Sequence, residues 1–371
     1  MEQGTTSRSP RGESGRVYGV VVPLALVCGL ALSARPAVAE PYLAVRTGLR
    51  CAQCHVNRTG GGGRNAFGSA WAQTQLPITS AGVRSRNLND WVALGLDVRA
   101  AFTASLTDDS PRTTLDVPEA QVQMEARLIA NRLAVYVDET VGPDRATARE
   151  AFGLVERLPL NGYAKAGKFL LPYGWRLWDD EAFIRRETGF TYLTPDLGLE
   201  VGIEPGPLSW VLAVTNGSVG AAEGNDAKMV TSSAVFTHRR FRIGASASRN
   251  AGPGTHREVV GGYGGLSLGP VALLGEADWI LQSFDGQADR DQFVAYLEGN
   301  WLARRGVNVK LTYGFHDPDV DLPEDERVRW RAGVELFPIS FVQLAGFFVR
   351  SDNAGVGDDR SRVDLEAHVH F

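Results

Sequence analysis

From Trp91 to its last residue the chain places apolar side chains at every second position, segment after segment. Val92, Leu94, Leu96, Val98, Ala100 and Phe102 alternate with Ala93, Gly95, Asp97 and Arg99. Val328, Trp330, Ala332, Val334 and Leu336 alternate with Arg329, Arg331 and Glu335. Val363, Leu365, Ala367, Val369 and Phe371 alternate with Asp364, Glu366, His368 and His370. A period of two is that of a β-strand with one apolar face. About sixteen such segments, each near the length of a tilted membrane-crossing strand, predict an all-β antiparallel barrel over residues 91–371.

Alternation alone also suits a soluble sheet. Three features favour the membrane. Short connections at 238–240, 268–270, 304–306 and 337–339 alternate with long polar ones at 215–228, 283–291, 317–326 and 351–361. That asymmetry is the short periplasmic turn and long outer loop of an outer-membrane barrel. Trp210, Trp279, Trp301 and Trp330 fall on the apolar face, as an interfacial girdle requires. The chain ends in Phe371 with apolar residues at alternate positions before it, which resembles the terminal signal of outer-membrane proteins. An even strand count returns this end to the periplasm. Lipid of the bacterial outer membrane is therefore an expected partner. The formal charge of −5 over 371 residues gives no reason to invoke nucleic acid.

The first 39 residues read as a signal peptide. Arg8, Arg11 and Arg16 precede an apolar run at 17–32, and Ala37-Val38-Ala39 supplies a small-x-small cleavage site. A retained anchor conflicts with Pro23 and Arg35, and lipidation at Cys28 conflicts with the bulk of Val27.

Cysteine is scarce, with three in the chain, and only two lie beyond residue 39. They stand in Cys51-Ala52-Gln53-Cys54-His55, the C-x-x-C-H pattern in which two thiols bind haem vinyl groups and the histidine ligates iron. A Cys51–Cys54 disulfide leaves His55 unexplained. A zinc site lacks a second Cys/His pair nearby. A thioredoxin-like motif lacks its βαβ setting. One covalent haem c is the expected cofactor. Four consecutive glycines, Gly60 to Gly63, follow, and backbone without side chains can lie close against a flat ring. Residues 40–90 make a haem-binding arm and linker, on the periplasmic side. The arm is too small for a cytochrome fold, so its haem needs shelter from elsewhere.

His55 gives the iron one axial bond; Met or His usually gives the other. Met124 and Met229 lie within strand patterns, and His238, His256, His316, His368 and His370 remain. By parity His370 or His368, on the lumen face at the periplasmic end of the last strand, is the candidate distal ligand. Ordinary polar lumen residues and a five-coordinate haem are the alternatives. Arg327, Arg329 and Arg331 read as a charged lumen wall balanced by Glu335 and Asp364.

At residues 167–175 the sequence Gly-Lys-Phe-Leu-Leu-Pro-Tyr-Gly-Trp is similar to a stretch of the phosphate-selective (type O and P) porins. The resemblance implies a sixteen-stranded barrel whose loop after the fifth strand, here 170–196, folds inward and narrows the channel. The haem arm departs from that family, and the few lysines do not support phosphate selectivity. The run from Cys51 to Gly63 also resembles exported monohaem barrel proteins. Two functions follow as expectations. One is electron transfer at or across the outer membrane, with periplasmic or extracellular redox proteins as partners. The alternative is a solute-diffusion porin, passing small solutes, whose haem arm is a structural or redox-sensitive plug. No catalytic residues are assigned; peroxidase-like chemistry requires an open haem.

Overall fold

The computed structural model describes Met1 and residues 40–106, 111–142, 146–221, 223–252, 254–353 and 360–371. The expected signal peptide lies outside the described residues apart from Met1, as does Cys28.

Sixteen strands run through the described residues: β1 (Val92–Ser105), β2 (Thr113–Ile129), β3 (Leu133–Gly142), β4 (Thr147–Leu158), β5 (Gly162–Phe169), β6 (Asp196–Ile203), β7 (Leu208–Thr215) and β8 (Met229–Thr237). They continue with β9 (Phe241–Gly252), β10 (Thr255–Leu268), β11 (Val271–Phe284), β12 (Arg290–Arg304), β13 (Val307–Asp317), β14 (Arg327–Leu336), β15 (Val342–Asn353) and β16 (Arg360–His370). Each pairs antiparallel with its sequence neighbours, and β1 pairs with β16 to close the barrel. At the seam Phe371 donates its N–H to the Leu96 carbonyl at 2.7 Å, and Leu96 donates back to Phe371 at 3.0 Å. Among the described residues no helix is long and apolar enough to cross a membrane.

The barrel is inverted relative to a globular protein. On β12 Trp301 is 52% exposed, while Glu298 is 3% and Asn300 1% exposed. Trp210, Trp279 and Trp330 are likewise exposed. Burying carboxylates and presenting tryptophan outward is favourable only where lipid surrounds the outer face.

Two inserts occupy the interior: an N-terminal arm and the connection 170–195. The arm carries α1 (Pro41–Thr47), α2 (Cys51–Cys54) and α3 (Ala66–Gln75). Pro41 opens α1, where a missing N–H costs nothing, and Gly48 closes it at φ 71°. The arm leaves the lumen over the β14–β15 turn, where Ile78 donates to Phe337 at 2.8 Å and Thr79 bridges Ile339, and it then runs into β1. The apolar core lies between inserts and wall and includes Tyr42, Val45, Tyr136, Phe152, Phe169, Trp175, Phe183 and Ile184.

The connection after β5 folds inward, as the porin resemblance implied. Its short helix α4 (Phe183–Arg186) packs on β11, β12 and β13. Tyr173 donates to Asp278 at 3.0 Å, and the Trp175 N–H donates to Glu276 at 2.9 Å. Arg329 on β14 forks onto Asp179 at 2.7 and 3.2 Å. Burial alone would raise the Asp179 carboxyl, but Arg329 and Arg331 hold it below the usual carboxylate range. The arginine wall is thus balanced chiefly by this loop. Glu335, expected to balance it, instead pairs with Lys310 at 3.1 Å, and Asp364 pairs with Arg362 at 3.0 Å.

Candidate functional site

Cys51 and Cys54 sit on the single turn of α2, both half-buried free thiols. His55 closes that turn, its N–H donating to the Cys51 carbonyl at 2.9 Å. The chain then reverses: Val56 donates to Gly63 at 2.9 Å, and His55 bridges Arg64. Gly60, Gly61 and Gly62 have φ of +92°, +85° and +58°, a run that side-chain-bearing residues resist. A Cβ at Gly60 would meet the Cys51 sulfur at 3.3 Å, and one at Gly62 would meet the Tyr136 hydroxyl at 2.6 Å. These glycines therefore make the reversal and let it seat against Cys51 and the β3 wall.

Asn65 ties the motif together. Its Oδ1 caps α3 by accepting from the Gly68 N–H at 2.9 Å. Its Nδ2 reaches the carbonyls of Ala52 at 3.2 Å, Gln53 at 3.1 Å and His55 at 3.4 Å.

Asn57 anchors the arm to the barrel. Fully buried, it donates to Glu150 of β4 at 2.6 Å and accepts from Lys165 of β5 at 3.0 Å. Arg58 spans Glu156 at 2.8 Å and Glu204 at 2.9 Å. Tyr42 donates to Glu335 at 2.9 Å.

A cavity with an open volume of about 1340 Å³ adjoins both cysteines and His55. Leu43, Leu49, Trp71, Val211 and Val235 give it an apolar lining, and Trp175, Tyr173 and Tyr263 an aromatic one. Arg176 and Arg242 also line it. Each has a buried Nε without a hydrogen-bond partner, and neither belongs to an ion pair among the described residues. The Nδ1 of His55 is buried and partnerless too. Burial, with Arg64 alongside, lowers the His55 pKa to about 4, so the ring is a neutral donor base. Burial pushes the Cys54 thiol up.

His368 and His370 are buried on the lumen side of β16, as parity required, but border a different, smaller cavity of about 550 Å³. His55 borders both cavities; Cys51 and Cys54 border only the larger one, and His368 and His370 only the smaller. His368 Nε2 lies 2.6 Å from Asp97, and the His370 ring lies 2.9 Å from the Arg64 guanidinium. His316 lies under the inward loop, 3.0 Å from Gln292, and His238 is exposed with its ring against Phe241. Met124 lies on the lipid face.

Asn57, Arg176, Arg242 and Tyr263 had no sequence signal as site residues. Asn57 stands two positions past the motif, but its partners come from strands about a hundred residues on. Barrel closure alone brings Arg242 and Tyr263 to the motif.

No protein-family model and no curated protein sequence matches the chain. Its fold is similar to solved structures of OmpT, an outer membrane protein of Vibrio cholerae (12% identity, TM-score 0.62, covering 76% of this chain and 99% of that one). It is also similar to an anion-selective porin from Comamonas acidovorans (12%, 0.59, 76% and 99%) and to the outer membrane channel DcaP of Acinetobacter baumannii (11%, 0.58, 76% and 97%). The likeness is one of fold: a porin-type barrel.

Proposed function

From a porin-type barrel filled by its own N-terminus, we propose a bacterial outer-membrane channel protein whose arm is a plug carrying one covalent haem c. Membership of the outer membrane is supported by the inverted barrel and by the porins whose fold it shares. The observation that carries the plug is the arm itself, hydrogen-bonded through Asn57, Arg58 and Tyr42 to the lumen wall. Cys51 and Cys54 would hold the haem by thioether bonds, and His55 would ligate its iron. The partnerless His55 nitrogen suits that role, and the uncompensated Arg176 and Arg242 suit the anionic propionates. Bound there, the haem supplies iron redox and ligand chemistry. The chain's own residues exclude water from one side through Leu43, Val211 and Trp175, and keep the ring of His55 neutral by burial.

Electron transfer is the second reading, favoured by the cavity beside Cys51, Cys54 and His55. A single haem does not bridge the roughly 25 Å apolar band of such a barrel, so redox proteins on both sides would have to complete the path. Replacing Cys51 and Cys54 by alanine tests the common premise. Covalent haem staining on a denaturing gel is expected to vanish completely, with the heat-modifiable barrel band retained. A wild-type protein without the stain would leave a plugged porin and no cytochrome. Conductance in planar bilayers, measured oxidised and reduced, separates the readings: a redox-gated current favours the plug, and current-independent reduction by external dyes favours electron transfer.

A further inference from the structure

We infer that a haem held by Cys51, Cys54 and His55 keeps its second axial position open to a small exogenous ligand, of the diatomic or cyanide-like class. The inference rests on the haem reading above and follows from where every competing ligand lies.

The chain has six histidines and three methionines, and all of them fall among the described residues. None except His55 lines the cavity that the two cysteines share, and no lysine lines it. His368 and His370 border only the smaller cavity, which meets the larger one through His55, Gly61, Arg64 and Tyr192 and includes neither cysteine. Each of these two histidines already has a partner: His368 has Asp97, and His370 has Arg64.

His316 lies under the inward loop, and His238 is exposed on the β8–β9 turn beside Thr237 of the cavity wall, its ring against Phe241. His256 is the second residue of β10, paired with Ala251 of β9 and Ser283 of β11. Met124 faces lipid, and Met229 opens β8 at the long-loop end.

Three of the cavity's four phenols are engaged as well. Tyr173 donates to Asp278 at 3.0 Å, Tyr163 donates to Glu200 at 2.8 Å, and Tyr263 is hydrogen-bonded to Ser233 at 3.0 Å; the ring of the fourth, Tyr192, lies under the Arg149 and Arg176 guanidinium groups. What the wall offers an incoming ligand is an apolar lining with the spare N–H groups of Arg176 and Arg242. Such donors favour a bound ligand that carries partial negative charge.

The test uses the full-length protein purified in detergent, with absorption and resonance Raman spectra of the ferric and ferrous forms. The expected result is a high-spin haem that binds carbon monoxide one-to-one when reduced and turns low-spin with cyanide when oxidised. A variant carrying both His368→Ala and His370→Ala is expected to give the same spectra and the same carbon monoxide stoichiometry. A low-spin six-coordinate haem that refuses carbon monoxide overturns the inference. If that spectrum becomes high-spin in the double variant, the histidines of β16 are the ligand after all. Absence of any covalent haem band overturns the underlying haem reading instead, a result distinct from either spin state.

Discussion

The two inserts that fill the barrel are held in opposite ways. The inward loop matches charge with charge: Arg185 meets Glu276, and Asp179 meets Arg329 and Arg331. Its aromatic residues stack on themselves, with Tyr173 and Phe190 parallel at 4.2 Å. The arm is pinned along its edges by Asn57, Arg58, Arg64 and Tyr42, but where it faces the loop a cavity remains, lined by Arg176 of the loop and Arg242 of β9, each with a partnerless Nε. An orphaned buried N–H costs about 1–3 kcal/mol if nothing meets it, so the cavity between loop and arm has a wall that favours an anionic occupant. The loop is fastened to the barrel by ion pairs; the arm and loop share the cavity.

That contrast can be broken experimentally. The largest effect is expected from deleting residues 41–76. If the arm is the plug, single-channel conductance rises several-fold, whereas shortening the inward loop alone changes it little while the arm remains. Equal rises from both changes would erase the distinction. Asn57→Ala comes next. It removes the buried bridge between Glu150 and Lys165 and should weaken arm docking by about 1–3 kcal/mol, read as faster proteolysis of the arm in an otherwise intact barrel.

A third effect is pH dependence. Burial, partly countered by Lys310, raises the Glu40 carboxyl from 4.5 to about 7 in the docked arm. The docked arm therefore keeps a proton that a released arm gives up between these values. Docking is strongest below pH 4.5 and loses this contribution as pH rises through 7. Hydrogen exchange of residues 41–47 across pH 5 to 8 checks it, and Glu40→Gln should flatten the profile. The smallest effect is expected at the exposed Arg350–Asp352 pair, 2.7 Å apart. Arg350→Ala should shift barrel melting by no more than about 0.5 kcal/mol equivalent, because both partners stand in solvent-exposed positions.

How legible each region was follows the range of its contacts. The wall was readable because alternation is local: Leu297 and Trp301 against Glu298 and Asn300 announce two faces within five residues. β10 announces itself poorly, since Gly261, Gly262, Gly264 and Gly265 interrupt its apolar positions, and Gly265 is small because Val45 of α1 packs on it. The Cys51–His55 spacing was visible as a local pattern, and the inward loop was readable through its likeness to a porin stretch. What surrounds the motif was not. Tyr136, Glu150, Arg242 and Tyr263 reach it only after sixteen strands have closed, and nothing near Cys51 encodes them. The same limit applied to His370. Parity put it correctly on the lumen side of β16, but parity carries no information on which cavity a lumen residue borders.

The contact between Arg64 and His370 joins residues 306 positions apart. Pairings of such separation form late, since the intervening chain must first be ordered. Residues translated among the first wait for the last strand before this edge of the arm is fastened. This edge of the arm is therefore fastened only once β16 is in place beside β1.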